Sequence, residues 1–288
     1  MHYTNLNAPM VRADITLFCE VVMPPALSLS RENWLMPNCE WWDPRNDRFL
    51  NHFTKILCKT QDCYRIWTAK VGPQKCVYTS FEGRDIYKPE IERELRFLHV
   101  AGKSEHKNTE AVIKAWRSTQ RVPFPHLTII SRAPAFQDEL KTSNWPYKNV
   151  THIEQATDDV VINLMNNCQC HIMPSMYEGF GHALQEGIGC GALMFTTNAA
   201  PMNAFEGIYR PGLIPVQSTI KRSLADMSMV HGAQVNLVVN TFMNRWYMNR
   251  DAAKDSIKSC SEEARAGFLR NREFFRATFM GLVNSVKR

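Results

Sequence analysis

Between residues 96 and 197 the chain alternates short apolar runs with amphipathic stretches, and that rhythm restricts the fold more than any other feature of the sequence. RFLHVAG (96–102), HLTIIS (126–131), VTHIE (150–154), CHIMPS (170–175) and ALMFTT (192–197) read as strands. NTEAVIKAWRS (108–118), TDDVVINLMNNC (157–168) and GHALQEGIGCG (181–191) read as helices between them. Strands separated by helices imply βαβ units and a parallel sheet covered on both faces, so the fold class is α/β. Ligands of such sheets bind beyond the carboxyl ends of the strands, in the loops that enter the helices.

The N-terminal third follows a looser pattern. ITLFCEVV (15–22), KILCKT (55–60) and KCVYTSF (75–81) read as strands, and QDCYRIW (61–67) as a helix. Glycine, proline and dense charge mark a linker near residues 82–95. The expected division is residues 1–92, then 93–267, with a C-terminal helix around 268–288 packing back on the first unit. Phe268, Phe275, Phe279 and Leu282 recur at helical intervals there and read as a core stripe rather than a base-stacking platform.

Composition excludes several classes. With 44% hydrophobic and 22% charged residues in 288, the chain is neither disordered nor fibrous. It contains no uninterrupted apolar stretch of membrane-spanning length, and MHYTNLNAPMVRADITLF lacks the layout of a secretory leader. A cytoplasmic location, in a cell or an infected host cell, is therefore expected. The nine cysteines, scattered from Cys19 to Cys260, read as buried, reduced thiols. The net charge of +6 is concentrated late, since residues 243–288 hold 10 Lys and Arg against 5 Asp and Glu. Such a tail is either the solvated face of a helix or a contact for nucleic acid, lipid or an acidic substrate.

Two loops carry the chemistry. In AGKSEHKN, Gly102 ends a strand and delivers Lys103 and Lys107 to the start of a helix, an arrangement that suits a diphosphate. Two solvated surface lysines would read the same way. In MYEGFGHALQEG, Gly179 and Gly181 permit a tight turn, while Glu178 sits in the loop and Glu186 one turn into the helix. Ionised carboxylates accept hydrogen bonds and so fit sugar or ribose hydroxyls. A glutamate placed to favour the helix dipole, beside a solvated one, is the plainer alternative. In WLMPNCEWWDPR (34–45), Asn38 and Glu40 beside Trp41 and Trp42 are either a sugar-facing group or a Trp-rich core edge.

The segment MPSMYEGFGHALQEGIGCGALMFTTN resembles the signature of GT-B glycosyltransferases of the family 4 type (group 1), with seven residues between its two glutamates. FLHVAGKSEHKNTEAVIKAW is similar to that family's other donor-side motif, and YTSFEGRDIYKP to its interdomain segment. The resemblance implies two Rossmann-like domains facing a cleft, the N-terminal one reduced. It implies transfer of a hexosyl or pentosyl group from a nucleoside-diphosphate sugar to a hydroxyl, usually with retention and without a metal. Lys103 and Lys107 would then hold the diphosphate and Glu186 the ribose. Glu178, with Gly179, Phe180, Gly181 and His182, would hold the donor sugar, and Glu40 would face it from the acceptor side. No Asp-x-Asp occurs in the chain, consistent with lysines in place of a cation, and no cofactor is expected. The lysines are four residues apart, closer than is usual in the family, and its first glycine-rich loop is not evident. The acceptor is a glycan, a small molecule or, as in some phage enzymes of this fold, a hydroxymethylated base in DNA. An inactive sugar-nucleotide-binding protein is the remaining alternative.

Overall fold

The computed structural model describes residues 12–118, 122–132 and 149–286. The stretch read for a leader lies largely outside them. Two parallel sheets dominate. The first is built from β1 (Ala13–Cys19), β2 (Ser30–Met36), β3 (Lys55–Cys58) and β4 (Cys76–Tyr78), paired in that order. Strand β2 was not expected from the sequence, because Ser30, Glu32 and Asn33 break its apolar run; the structure seats it between β1 and β3. Helix α1 (Gln61–Val71) follows β3, capped by the Thr60 hydroxyl, which accepts from the Cys63 amide at 3.1 Å.

The second sheet contains β5 (Glu94–Gly102), β6 (Leu127–Ser131), β7 (Val150–Ile153), β8 (Cys168–Met173), β9 (Leu193–Thr197) and β10 (Leu213–Ile214). Its spatial order is β10-β9-β8-β5-β6-β7, so the direction of winding reverses between β5 and β8. That reversal opens a crevice at the carboxyl ends of those two strands, from which both chemically loaded loops emerge. Helices α2 (Thr109–Arg117), α3 (Asp158–Asn167) and α4 (His182–Gly189) fall within a residue or two of their expected limits.

Side-chain alternation assigns each face its cover. Phe97 points to one side, where its ring meets Trp116 of α2 at 5.3 Å and Phe242 of α5 (Gly232–Met248) at 6.3 Å. Leu98 points to the other, into a cluster with Leu184, Ile188 and Phe268. Gly187 allows α4 to approach closely, since a Cβ there would lie 2.7 Å from His171 Nδ1 and from Met194 Sδ. Seven of the nine cysteines are buried and none is disulfide-bonded.

One element joins the two sheets. Helix α6 (Arg250–Val286) is 37 residues long, a rod of roughly 55 Å at 1.5 Å per residue. Its first half packs on the second sheet through Ala264 and Phe268, and its last turns bring Phe279, Leu282 and Val286 onto Trp34 and Leu57 of the first. The Trp34 and Phe279 rings meet edge to face at 6.2 Å. The aromatic stripe is therefore core. Four of the ten late basic residues have carboxylate partners: Arg265 and Arg272 bridge Asp85, Arg276 bridges Glu82, and Arg270 bridges Glu206 and Glu263. An antiparallel hairpin, β11 (Ser218–Arg222) and β12 (Ala225–Met229), reaches across from the second sheet. It buries Ala225 and Met227 against Cys39, Trp42 and Tyr177. No helix among the described residues is long and apolar enough to cross a membrane.

Candidate functional site

The carboxyl ends of the two parallel sheets face each other. On the side of the second sheet, β5 ends at Gly102, and the chain turns through Glu105–Lys107 to Asn108, whose φ of 57° is left-handed, before α2 begins. Asparagine tolerates that conformation because its short polar side chain bonds locally, and here the Asn108 amide donates to the Val230 carbonyl at 2.8 Å. After β8 the loop of Tyr177 to Gly181 leads into α4, with Gly181 at φ 79° as its N-cap. The two loops are tied together where the Met176 amide donates to the His106 carbonyl at 2.9 Å. Beneath them His99 spans from Ile172 O (2.7 Å) to Thr109 Oγ1 (2.9 Å), and complete burial depresses its pKa to about 4, so it is a neutral cross-brace.

On the side of the first sheet, Glu20, Asn38 and Lys59 lie within one or two residues of the ends of β1, β2 and β3. The buried Lys59 ammonium donates to Asn38 Oδ1 at 2.5 Å and pairs with Glu20 Oε1 at 3.1 Å. Lys59 and Glu20 were not identified from sequence. A lone lysine after a strand carries no motif, and only the parallel pairing of β1, β2 and β3 aligns these ends.

Between the sheets lies a cavity of about 370 Å³. Of the residues expected to form the site, Gly102, Lys107, Glu178 and Glu40 line it, as do Gly179, Phe180, Gly181 and His182. Lys107 Nζ pairs with Glu178 Oε1 at 2.5 Å, with both side chains more than four-fifths buried. The other two expected residues stand apart. Lys103 is exposed and does not line the cavity, and Glu186 is buried on α4 with Oε1 accepting from Arg84 Nε at 2.8 Å. The Phe180 ring is anchored in the core between Phe81 (5.0 Å) and Phe205 (6.4 Å). Burial lowers the pKa of His182, whose ring packs on Phe180 and Phe81.

Glu40 is a group in this site whose ionisation is moved toward neutrality. Burial lifts its carboxyl to about 7, with Glu178 and Glu20 adding to the rise and Lys59 opposing it. Its Oε2 is buried with no hydrogen-bond partner, beside the Lys107–Glu178 pair. A carboxyl that ionises near neutrality, facing a fixed cation across a cleft, is equipped to accept a proton at working pH.

Gly179 closes the contact between the halves. A Cβ there would collide with the Asn38 carboxamide, which Lys59 holds in place. Gly179→Ala should therefore cost about 1–3 kcal/mol and raise the donor KM. Removing the obstruction in Gly179→Ala with Asn38→Ala should restore most of the melting temperature. Thermal unfolding of both variants checks this, and an unshifted single variant would show that the cleft relaxes freely.

Residues 84–211 match the family model of glycosyl transferases group 1. That stretch is 128 of the 288 residues, so the resemblance covers less than half of the chain. The matched residues contain both loops at the carboxyl ends of β5 and β8, whereas Glu20, Asn38, Glu40 and Lys59 lie upstream of them. Solved structures extend the likeness to the whole GT-B architecture. The pneumococcal O-GlcNAc transferase GtfA, in complex with UDP and GlcNAc, aligns with a TM-score of 0.64 and 12% identity over 92% of this chain. A glycosyltransferase from Rickettsia africae aligns with a TM-score of 0.68 and 13% identity over all of this chain and 84% of its own. Anabaena HepE, in complex with UDP and glucose, gives 0.64 and 13% over 90% of this chain and 73% of its own. This chain spans only 54% of the length of the pneumococcal structure. No curated protein sequence matches the chain significantly.

Proposed function

We propose that the protein transfers a sugar from a nucleoside-diphosphate sugar to a hydroxyl acceptor, with retention of anomeric configuration. The observation that carries this reading is the Lys107–Glu178 pair, set at the crevice between β5 and β8 and opposite Glu40. As the diphosphate departs, negative charge grows on its oxygens while the sugar becomes oxocarbenium-like. Lys107 meets that charge, and the exposed Lys103 side chain has the freedom to join it. Lysines in this position do the work of a bound cation, and the reading needs none. Glu178, with the Gly179 to Gly181 turn, holds the sugar hydroxyls. Glu186 offers the ribose its Oε2, since Arg84 engages Oε1. Glu40 takes the acceptor proton.

The decisive assay offers a panel of nucleotide sugars and follows nucleoside-diphosphate release, first alone, then with glycans, small hydroxyl acceptors and hydroxymethylated DNA. Absence of both release and binding for every donor would refute the transferase reading and leave the protein without the proposed donor site. The C-terminal arginines that motivated a DNA acceptor are engaged with Glu82, Asp85, Glu206 and Glu263, so the glycan or small-molecule acceptor is favoured.

Glu40 fixes a pH dependence. Activity should rise with pH through about 7 as its carboxyl ionises, and Glu40→Gln should abolish that limb along with most of the turnover. Stability should run the other way. A carboxyl raised from 4.5 to about 7 favours the fold while protonated, so its contribution is complete below 4.5 and lost as pH rises through about 7. That swing is on the order of 3 kcal/mol and should be absent in Glu40→Gln. Urea unfolding on either side of neutrality measures it, and an identical slope in the variant would remove Glu40 from both roles.

A further inference from the structure

A second cavity, larger than the one in the cleft, lies elsewhere in the described structure. It measures about 670 Å³ and lies at the amino ends of β5 and β8, where Leu95 and Gln169 line it, away from the crevice at their carboxyl ends. Its outer wall is the first half of α6, with Trp246 of α5 beside it. The volume falls within the roughly 300–1,000 Å³ typical of small-molecule sites, and such sites are mostly apolar with a few convergent polar groups. Leu95, Trp246, Ile257, Ala266 and Leu269 supply the apolar surface.

The polar groups are predominantly cationic. Arg93 lies half-buried against the cavity, donating to the carbonyls of Cys168 (3.0 Å) and Cys190, which close α3 and α4. Those carbonyls offset part of its charge through the two helix dipoles, but no carboxylate pairs with it among the described residues. Lys254 and Lys258, one turn apart on α6, are exposed at the rim and likewise form no ion pair among the described residues. Arg265 is neutralised by Asp85, and Glu262 is the one carboxylate in the lining. An apolar hollow edged by three cations without carboxylate partners complements a ligand with an apolar body and an anionic end.

We infer that this cavity binds a single-chain amphiphile with an anionic head group. The chain lies on Leu95, Trp246, Ile257 and Leu269, and the head meets Arg93, Lys254 and Lys258. The site is separate from the sugar-transfer cleft and does not depend on it.

Calorimetric titration of the full chain with n-decyl phosphate, below its micelle concentration, tests the assignment, with decanol and inorganic phosphate titrated in parallel. Decyl phosphate should bind saturably at one site. Decanol should bind at least about tenfold more weakly, and inorganic phosphate should not bind measurably. Lys254→Glu with Lys258→Glu should weaken decyl phosphate about tenfold, and Ala266→Trp, which fills the hollow, should abolish its binding. UDP binding should be unchanged in both variants, which also reports that they are folded. Equal binding of decanol would remove the anionic head from the assignment. Undiminished binding to Ala266→Trp, binding of inorganic phosphate as strong as that of decyl phosphate, or association only with anionic vesicles would overturn it. The lysine variants alter exposed positions, so the test stands even if the tryptophan does not pack.

Discussion

Replacing Lys107 by alanine should lower nucleoside-diphosphate release by about 10²–10³, the usual effect of removing one group aimed at a departing anion. The loss should appear in kcat more than in donor KM, because the charge it meets grows only as the bond breaks. The same substitution strands the buried Glu178 carboxylate and so destabilises the fold, which confounds a single variant. Pairing Lys107→Met with Glu178→Gln removes both charges at nearly constant volume. That double variant should recover the melting temperature and remain inactive. Recovery of activity together with stability would show that the pair is architectural, and the transferase reading would lose its central cation.

The second large effect is structural. Phe268→Ala should cost about 3–5 kcal/mol, as expected for emptying a fully buried aromatic site. For a chain of this size that is a fall in melting temperature on the order of 10 °C. The Phe268 ring fills the space above Gly189 of α4 and Gly83 of the linker, and Arg265 and Arg272 lie over it at 5.5 Å. It thus fixes α4, whose first turn lines the cleft through His182 and Ala183, and on the proposed reading the variant should also bind donor less tightly. A change below about 1 kcal/mol in chemical unfolding would show that α6 and α4 close over the gap.

The half of the cleft on the second sheet was legible in sequence because its signals are local. Helical and strand periodicities adjoin one another, and Gly102, Lys107, Glu178 and Gly181 sit within a few residues of the elements that aim them. The half on the first sheet was legible only in part. Glu40 was singled out beside its tryptophans, but Lys59 and Glu20 acquire meaning only when β2 aligns the ends of β1 and β3, and the polar start of β2 hides it. Arg84 escaped notice for a similar reason, since its partner Glu186 is 102 residues away. The spacing of Val235, Val238, Val239 and Phe242 marks α5, though Asn236 and Asn240 dilute it. The hairpin of β11 and β12 turns Ala225 and Met227 onto Cys39, Trp42 and Tyr177, a relation no local pattern records.

The placement of α6 has a consequence for how the molecule is made. Trp34 and Leu57 of the first sheet are shielded by Phe279, Leu282 and Val286, which leave the ribosome more than 200 residues after them. During synthesis the first sheet therefore waits, with one apolar face bare, until residues 279–286 arrive. Nascent chains halted before residue 279 should be captured by holdase chaperones through that face, and release should coincide with completion of the final turns.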